Sequence, residues 1–315
     1  MPPQVTKTSE PIPGYRIRER LGAGGYGEVW AVTAPGGLTK AIKFVYGYLD
    51  EDRAARELKA LNRIKAVRHP FLLSLERIEV VEGQLLIVTE LADASLKDRF
   101  DQLQHQGKPG IPWTELMRYM QDAADVLDFM NSEHSLQHLD VKPENLLLLA
   151  DRIKVADFGL VKDIHDATIS LMGGLTPIYA PPEVFDGRPS RWSDQYSLAI
   201  VYQEMLTGQL PFAGSSAVQL ARQHLSAQPQ LSALPEYDRT VVARALSKIP
   251  EERFSSCRDF VRALERDASA ASISEPSGFD GSAQAGTAFA EEQFDQSATT
   301  ESRDEDAAPP RNPQH

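Results

Sequence analysis

The sequence predicts an α+β protein in which a small, β-rich lobe precedes a larger, α-helical lobe. Three observations support this prediction. Short apolar runs with the alternation of strands fill residues 15–92, whereas apolar residues recur every three or four positions, as in helices, between 93 and 267. Residues 268–315 follow neither pattern. The expected organisation is a leader (1–14), one bilobal domain (15–267, with lobes 15–92 and 93–267) and a tail (268–315).

The leader contains four prolines and is expected to be extended. The elements of the domain follow in chain order. Strands are predicted at 15–21, 28–33, 40–45, 75–81 and 85–89, with one helix at 52–66. In the second lobe, helices are predicted at 113–132, 192–206, 217–225, 240–247 and 254–264. Short strands are predicted at 146–149 and 153–156.

Composition limits the classes of function. Of the 315 residues, 42% are hydrophobic and 25% are charged, as in ordinary soluble globular proteins. The net charge of -12 argues against nucleic acid or an anionic membrane as a partner, since both bind surfaces with a Lys/Arg excess. Cys257 is the only cysteine, which excludes an intrachain disulfide. No apolar run is long enough for a membrane span and no signal-peptide pattern follows Met1, so a cytoplasmic location is expected.

The tail has a composition of its own. Residues 268–315 contain nine Asp/Glu and two Arg, a charge of -7 that leaves -5 on the rest of the chain. Ala, Ser, Gly, Gln and Thr dominate, and they bury too little apolar surface to offset chain entropy, so disorder is predicted. Phe279, Phe289 and Phe294 are spaced like anchors of a segment that binds a partner. A solvated linker is the alternative interpretation.

A glycine-rich stretch is the first candidate site. Gly22, Gly24 and Gly27 have the spacing that lets a backbone turn approach phosphate oxygens. The residues after Gly27 alternate like a strand, whereas a dinucleotide-binding fingerprint requires a helix at that point. The stretch is therefore interpreted as a loop between two strands, either a flap over a nucleotide or an ordinary hairpin.

Lys43 is the second candidate. It lies among strand-forming residues, and its ammonium group would bind phosphates if it paired with Glu57 on the following helix. A lysine on an exposed strand face is an equally good interpretation of these residues alone.

The strongest signal is the stretch QHLDVKPEN at 137–145, which DFG follows at 157–159. Phosphoryl transfer requires a carboxylate to orient the attacking hydroxyl, oxygen ligands for magnesium and a cation for the transferred group. These groups are supplied, in turn, by Asp140, by Asn145 with Asp157, and by Lys142.

Taken together, these motifs resemble the eukaryotic-type (Hanks-type) protein serine/threonine kinase family over about residues 15–264. The matches occur in order, and later landmarks are TPIY at 176–179, PE at 182–183, SDQYS at 193–197 and Arg253. Lys142 is typical of the serine/threonine branch. The compact domain with an Ala/Ser/acid-rich tail resembles bacterial members.

The resemblance implies the bilobal protein kinase fold, ATP and Mg²⁺ as cofactors (with Mn²⁺ as an alternative), and protein substrates, with self-phosphorylation among the reactions. Asp140 would be the catalytic aspartate, and the metal ligands would be Asn145 and Asp157. The other catalytic residues would be Lys43, Glu57, Lys142 and Asn145. The nucleotide would be bound by Gly22, Gly24, Gly27, Val29, Ala41, Lys43, Thr89, Glu90, Leu91, Ala92 and Leu147.

Further residues are expected by resemblance to have scaffold roles. Glu183 and Arg253 would form a buried ion pair, and Asp194 would anchor the backbone of the catalytic loop. His138, although beside the site, is expected to be structural and not an acid or base. A spine between the lobes would consist of Leu61, Leu75, His138 and Phe158.

The sequence departs from the family pattern at Leu139, where many regulated kinases carry an arginine. That arginine pairs with a phosphate on the activation loop, so this non-RD variant predicts activity with little dependence on loop phosphorylation. Thr168, Ser170 and Thr176 are candidate phosphosites or ordinary loop hydroxyls.

A pseudokinase that binds nucleotide or partners as a scaffold is the competing function. Every position that phosphoryl transfer needs carries a competent residue, and this favours an active enzyme. The protein substrate is not defined by the sequence. Glu144 would favour basic residues near the target hydroxyl, but a single carboxylate does not set a consensus.

Overall fold

The computed structural model describes residues 10–24, 27–46, 58, 61–158 and 177–273. Its N-terminal part is an antiparallel sheet of five strands with the order β1-β2-β3-β5-β4. The strands are β1 (Arg16–Gly24), β2 (Gly27–Thr33), β3 (Thr39–Val45), β4 (Leu75–Val81) and β5 (Gln84–Glu90). The strands predicted from alternation are confirmed, although β1 continues to Gly24, beyond the predicted end at Leu21.

Both faces of this sheet bury apolar side chains. Ile42 and Phe44 pack on one face together with Ile12, which is 0% exposed. Leu85 and Ile87 pack on the other face against Leu61, from the helical residues 61–65. Because Ile12 lies in the core, the packed part of the chain begins before the predicted domain boundary at residue 15.

The C-terminal part is mainly helical. The helices are α1 (Leu96–His105), α2 (Trp113–His134), α3 (Pro182–Phe185), α4 (Ser193–Thr207), α5 (Ala217–Ser226), α6 (Glu236–Ala245) and α7 (Cys257–Ile273). A second sheet consists of β6 (Ala94–Ser95), β7 (Leu146–Leu149) and β8 (Arg152–Val155), in that order. Within the described part of the chain, no helix combines the length and apolarity needed to cross a membrane.

The helices predicted at 113–132, 192–206 and 217–225 are confirmed, whereas most of the helix predicted at 52–66 lies outside the described residues. Helix α1 was not predicted, because only Leu96, Phe100 and Leu103 of its ten residues are buried. A capping box between Ser95 and Asp98 begins α1 and was the available sequence signal. Helix α6 begins at Glu236, before the predicted start at residue 240, and α7 continues past residue 267 to Ile273.

Candidate active site

Strand register positions the side chains expected to contact the nucleotide. Val29 of β2 pairs with Lys43 of β3, and Ala41 of β3 pairs with Thr89 of β5. Residues opposite each other in antiparallel strands share a face, and so do residues two apart in one strand. These four side chains therefore lie on one face of the first sheet. The expected hinge, Glu90 to Ala92, begins where β5 ends.

Leu147 belongs to the other lobe. It is half-buried in β7, between Leu146 and Leu148, whose side chains lie in the core. Alternation in the strand therefore turns Leu147 away from the core of the helical lobe. This is the orientation that the floor of a nucleotide pocket requires.

Of the three glycines in the predicted flap, the fold requires only one. A Cβ on Gly27 would lie 2.2 Å from the carbonyl oxygen of Phe44, so packing of β2 against β3 itself requires a glycine. A Cβ on Gly22 or Gly24 would meet no described atom within 4 Å. Glycine at these two positions is not required by the fold, and the open space beside them fits a loop that admits phosphate groups.

Lys43 joins the two lobes. Its Nζ donates a hydrogen bond of 2.5 Å to Oδ2 of Asp157, 114 residues further along the chain. Asp157 has a φ of 62°, a left-handed conformation that is uncommon for a non-glycine residue. Glu57, the partner predicted for Lys43, lies outside the described residues. The observed contact brings together a predicted phosphate-binding cation and a predicted metal ligand.

The carboxylate of Asp140 is the centre of the predicted catalytic cluster. Lys142 Nζ donates to its Oδ2 at 2.9 Å, and Asn145 Nδ2 donates to the same oxygen at 3.2 Å and to the Asp140 carbonyl oxygen at 2.8 Å. Burial opposes the charge of Lys142, but the carboxylates of Asp140 and Glu144 outweigh it and raise the pKa of Lys142. Lys142 is therefore a cation at neutral pH.

Asp194, at the start of α4, holds the backbone just before Asp140. Its Oδ2 accepts the N–H of His138 and its Oδ1 accepts the N–H of Leu139, both at 2.8 Å. Leu139 has a φ of 59°, a left-handed conformation that costs energy for a branched residue. Burial raises the pKa of Asp194, whereas the two N–H groups that its oxygens accept stabilise the charged form and keep the loop in this conformation. The predicted anchoring role is confirmed.

His138 has a structural role. Its Nδ1 accepts the N–H of Asp140 at 3.2 Å, so the proton is on Nε2, which donates to the Ala156 carbonyl oxygen at 2.7 Å. The ring meets the edge of Phe158 with centroids 4.5 Å apart. Leu75 packs both against the cluster that contains Phe158 and against the cluster that contains Leu61. The contact between His138 and Phe158 that the spine requires is confirmed, and Leu75 packs against the apolar cluster of Leu61.

The predicted ion pair between Glu183 and Arg253 is confirmed. Two guanidinium nitrogens donate to the two carboxylate oxygens, each at 2.8 Å, and the Arg253 side chain is 0% exposed. Arg253 also donates to the carbonyl oxygens of Trp192 and Ser247. Burial opposes the charge of Glu183, but Arg253 outweighs it and lowers the pKa of Glu183. Residues 159–176, with Thr168, Ser170 and Thr176, lie outside the described residues.

The donor set beside Asp140 fits magnesium. Asn145 donates through its amide nitrogen, which leaves the amide oxygen as the ligand atom, and Asp157 supplies a carboxylate. Ala156, the neighbour of Asp157, donates its N–H to the Asn145 carbonyl oxygen at 2.9 Å, so the two predicted ligand residues are close. No group of three or more His, Cys, Asp and Glu side chains that could hold a metal occurs among the described residues. Two protein oxygens together with phosphate oxygens and water are a usual magnesium site.

Glu204 was missed from the sequence. Its Oε2 accepts a hydrogen bond of 2.7 Å from the hydroxyl of Tyr179, the last residue of the TPIY landmark. Burial raises the pKa of Glu204, and the nearby charge of Glu144 raises it further. The available signal was an acidic residue within the mostly apolar stretch of α4.

The protein kinase domain family model matches residues 15–270, and the chain belongs to the protein kinase family. It is 32% identical over 271 residues to the serine/threonine-protein kinase PknF of Mycobacterium tuberculosis, covering 80% of this chain and 56% of that protein. It is also 32% identical over 270 residues to the serine/threonine-protein kinase PkaA of Streptomyces coelicolor, covering 77% and 48% respectively. The chain thus spans about half the length of the curated relatives it matches.

The fold is similar to that of a solved kinase domain. The crystal structure of the Mycobacterium tuberculosis PknI kinase domain matches with a TM-score of 0.65 and 26% sequence identity, covering 84% of this chain and 99% of that one. The bilobal architecture predicted from the sequence is therefore confirmed.

Proposed function

We propose that this chain is an active protein serine/threonine kinase that transfers the γ-phosphate of ATP to hydroxyl groups of protein substrates. The observation that carries the proposal is the convergence of Lys142 and Asn145 on one carboxylate oxygen of Asp140. A scaffold that only bound nucleotide would not need a carboxylate oriented in this way beside a charged lysine. The names of the relatives support the same activity.

The observed contacts suggest a role for each polar group. Asp140, held by its two donors, would orient the substrate hydroxyl and accept its proton. Lys142 would balance charge on the transferred phosphoryl group, and Lys43 would bind the phosphates of ATP. Magnesium, held by Asn145 and Asp157, would supply positive charge to the phosphate oxygens. Mn²⁺ has similar ligand preferences and is a second candidate.

The adenine base, the ribose and the phosphates of ATP would occupy the space between the lobes. Val29 and Ala41 would cover the adenine ring from the sheet, and Leu147 would support it from β7. The hinge, Glu90 to Ala92, would bind the base through backbone groups, as its place after β5 allows. Thr89 shares the face of Ala41 and would limit the deeper part of the pocket.

Substrates with a basic residue near the target hydroxyl suit this site. Glu144 lies two residues after Lys142, and its charge acts on Glu204. Two carboxylates that repel each other are stabilised by a cation between them, such as a lysine or arginine side chain of the substrate. In a peptide array, Glu204→Gln is expected to weaken a preference for basic residues, and an unchanged preference would contradict this assignment.

The remaining proposals rest on the sequence. Leu139 in place of arginine implies activity without loop phosphorylation, and the loss of activity on alanine substitution at both Thr168 and Ser170 would contradict it. Self-phosphorylation and a cytoplasmic location are further expectations, testable by labelling of the chain itself and by cell fractionation. The segment 268–315 would recruit substrates or fold back on the enzyme, and unchanged activity together with unchanged partner capture after its deletion would leave only a solvated linker.

Transfer of labelled γ-phosphate to a generic basic protein tests the activity. Asp140→Asn is expected to reduce transfer by about 10²- to 10⁴-fold, the usual range for loss of an acid–base group. Asp151→Asn, a carboxylate on the exposed turn between β7 and β8, is the matched control and should retain full activity. Equal transfer by wild type and Asp140→Asn would reject the enzyme and favour the pseudokinase.

A further inference from the structure

The hinge carries an ion pair that the transfer chemistry does not use. Oε1 of Glu90 accepts the N–H of Ser74 at 2.9 Å and lies 3.3 Å from Nζ of Lys154. The N–H of Glu90 donates in turn to the Ser74 carbonyl oxygen at 3.3 Å. The main chain of Glu90 is therefore held by Ser74, and its side chain is held by Ser74 and by Lys154 of the helical lobe.

Lys154 lies where it can act on the expected adenine pocket. In the register of β7 and β8 it pairs with Leu147, so the two side chains share a face. The next residue, Val155, bonds through its backbone to Phe71 and Leu73, at 2.8 and 3.0 Å. The segment that leads into β4 is thus fixed to β8, and its Ser74 meets Glu90 beside Lys154.

The other end of the hinge is held to the same small sheet. The N–H of Asp93 donates to the Leu148 carbonyl oxygen at 2.8 Å, and an Asp93 carboxylate oxygen accepts the N–H of Ala150 at 3.0 Å. The ion pair is mostly shielded from solvent, with 17% of the Lys154 side chain and 21% of the Glu90 side chain exposed, so salt screens it weakly. Lys97 and Asp101, by contrast, lie on a single helix and connect no separate elements.

We infer that Lys154 is a positioning residue for adenine binding, because it holds the side chain of Glu90 and thereby orients the hinge peptide groups above Leu147. This inference rests on the proposed nucleotide site. A hydrogen bond weakens steeply as its angle departs from linearity, so rotation of the Glu90 peptide reduces affinity for the base. Among the described residues, Lys43 pairs with Asp157 whereas Lys154 pairs with Glu90, so the inference predicts that affinity for phosphate is independent of Lys154.

Calorimetric titration of Lys154→Met with adenosine, ATP and inorganic tripolyphosphate tests this role. The Kd for adenosine and for ATP is expected to rise about fivefold, the effect of one weakened hydrogen bond, whereas the Kd for tripolyphosphate does not change. In steady-state kinetics, KM for ATP should rise by the same factor with a much smaller change in kcat. Lys154→Arg, which keeps the charge, should restore most of the affinity for adenosine. Arg262→Met, which removes an exposed ion pair on α7, is the control.

The outcomes separate this inference from the proposed function. Adenosine binding by wild type with an equal Kd for Lys154→Met would overturn the positioning role alone. An equal loss of affinity for all three ligands, together with a lowered Tm, would also overturn it, because that pattern indicates a merely structural role. Absence of adenosine and ATP binding by wild type would overturn the nucleotide site itself. If Lys154→Met does not fold, Lys154→Gln is the second variant for the same titrations.

Discussion

The two sides of the candidate active site are built in different ways. On the sheet side, Val29, Ala41 and Lys43 are positioned by the register of regular strands. On the helical side, Asp140 follows a left-handed residue, and its loop is held by the buried carboxylate of Asp194. The strand register is fixed by many backbone hydrogen bonds, whereas the conformation of the loop depends on a few buried polar groups. Single substitutions should therefore have larger effects on the helical side.

The largest effect is expected at the buried ion pair of the helical side. Arg253→Met leaves the Glu183 carboxylate buried without its partner, and this should lower the free energy of unfolding by about 3–5 kcal/mol. Urea denaturation measures the change. Arg262→Met removes an exposed arginine ion pair on α7 and should leave the free energy of unfolding nearly unchanged. An equal, small effect of both substitutions would contradict the comparison.

The same pair predicts a pH dependence. Arg253 holds the pKa of Glu183 in the folded chain below its ordinary value of 4.5. A carboxyl group with a lowered folded pKa stabilises the fold above its unfolded pKa, and this contribution is lost as the pH falls through the folded pKa. The stability of wild type should therefore fall more steeply below pH 4.5 than that of Arg253→Met. Parallel curves from thermal unfolding between neutral and acidic pH would contradict this assignment.

Asp194→Asn should be the next largest change. The amide oxygen of Asn can accept a hydrogen bond from only one of the two N–H groups, those of His138 and Leu139. The NH₂ group then faces the other N–H, and two donors repel each other. The loop before Asp140 loses one of its two anchors, so kcat should fall about 100-fold, comparable to removal of a positioned donor. The Kd for ATP should stay within about twofold, because the sheet side is intact. A large rise in this Kd with normal kcat would show that the two sides are not independent.

On the sheet side, Gly27 and Gly22 are expected to respond differently to substitution. Gly27→Ala places a Cβ against the Phe44 carbonyl oxygen and should lower the free energy of unfolding by about 2 kcal/mol. Gly22→Ala meets open space and should change it by less than about 0.5 kcal/mol, while weakening ATP binding. Chemical denaturation with and without ATP measures both effects. Equal destabilisation by the two substitutions would contradict the open space described beside Gly22.

A smaller loss of stability than that of Gly27→Ala is expected at Ile12. Its side chain is fully buried against the first sheet, so Ile12→Val should lower the free energy of unfolding by about 1 kcal/mol. If residue 12 belonged to a solvated leader, the same substitution would leave the free energy of unfolding unchanged. Gln4→Ala, outside the described residues, is the comparison variant. If Ile12→Val has no effect on thermal unfolding, Ile12 belongs to the solvated leader and not to the packed domain.

The fold and the helical side of the site were largely predictable. Alternation located the strands of the first sheet, and Asp140, Lys142 and Asn145 lie within six residues, so their proximity follows from local chain geometry. Helix α1 was not predicted because three buried residues make a weak periodic signal. Glu204 was missed because its neighbour Tyr179 lies on a different segment, and no local pattern reports that contact.

The sequence by itself determined the order of the chemical groups, the lobe in which each lies and the family of the chain, because motifs and periodicity are local properties. Only the tertiary structure decided which groups meet. The pairing of Lys43 with Asp157, the hold of Asp194 on the loop and the bond of Lys154 to Glu90 each join distant parts of the chain. Periodicity reports that a face is buried, but it does not report what covers that face, since this depends on how the remote segments pack.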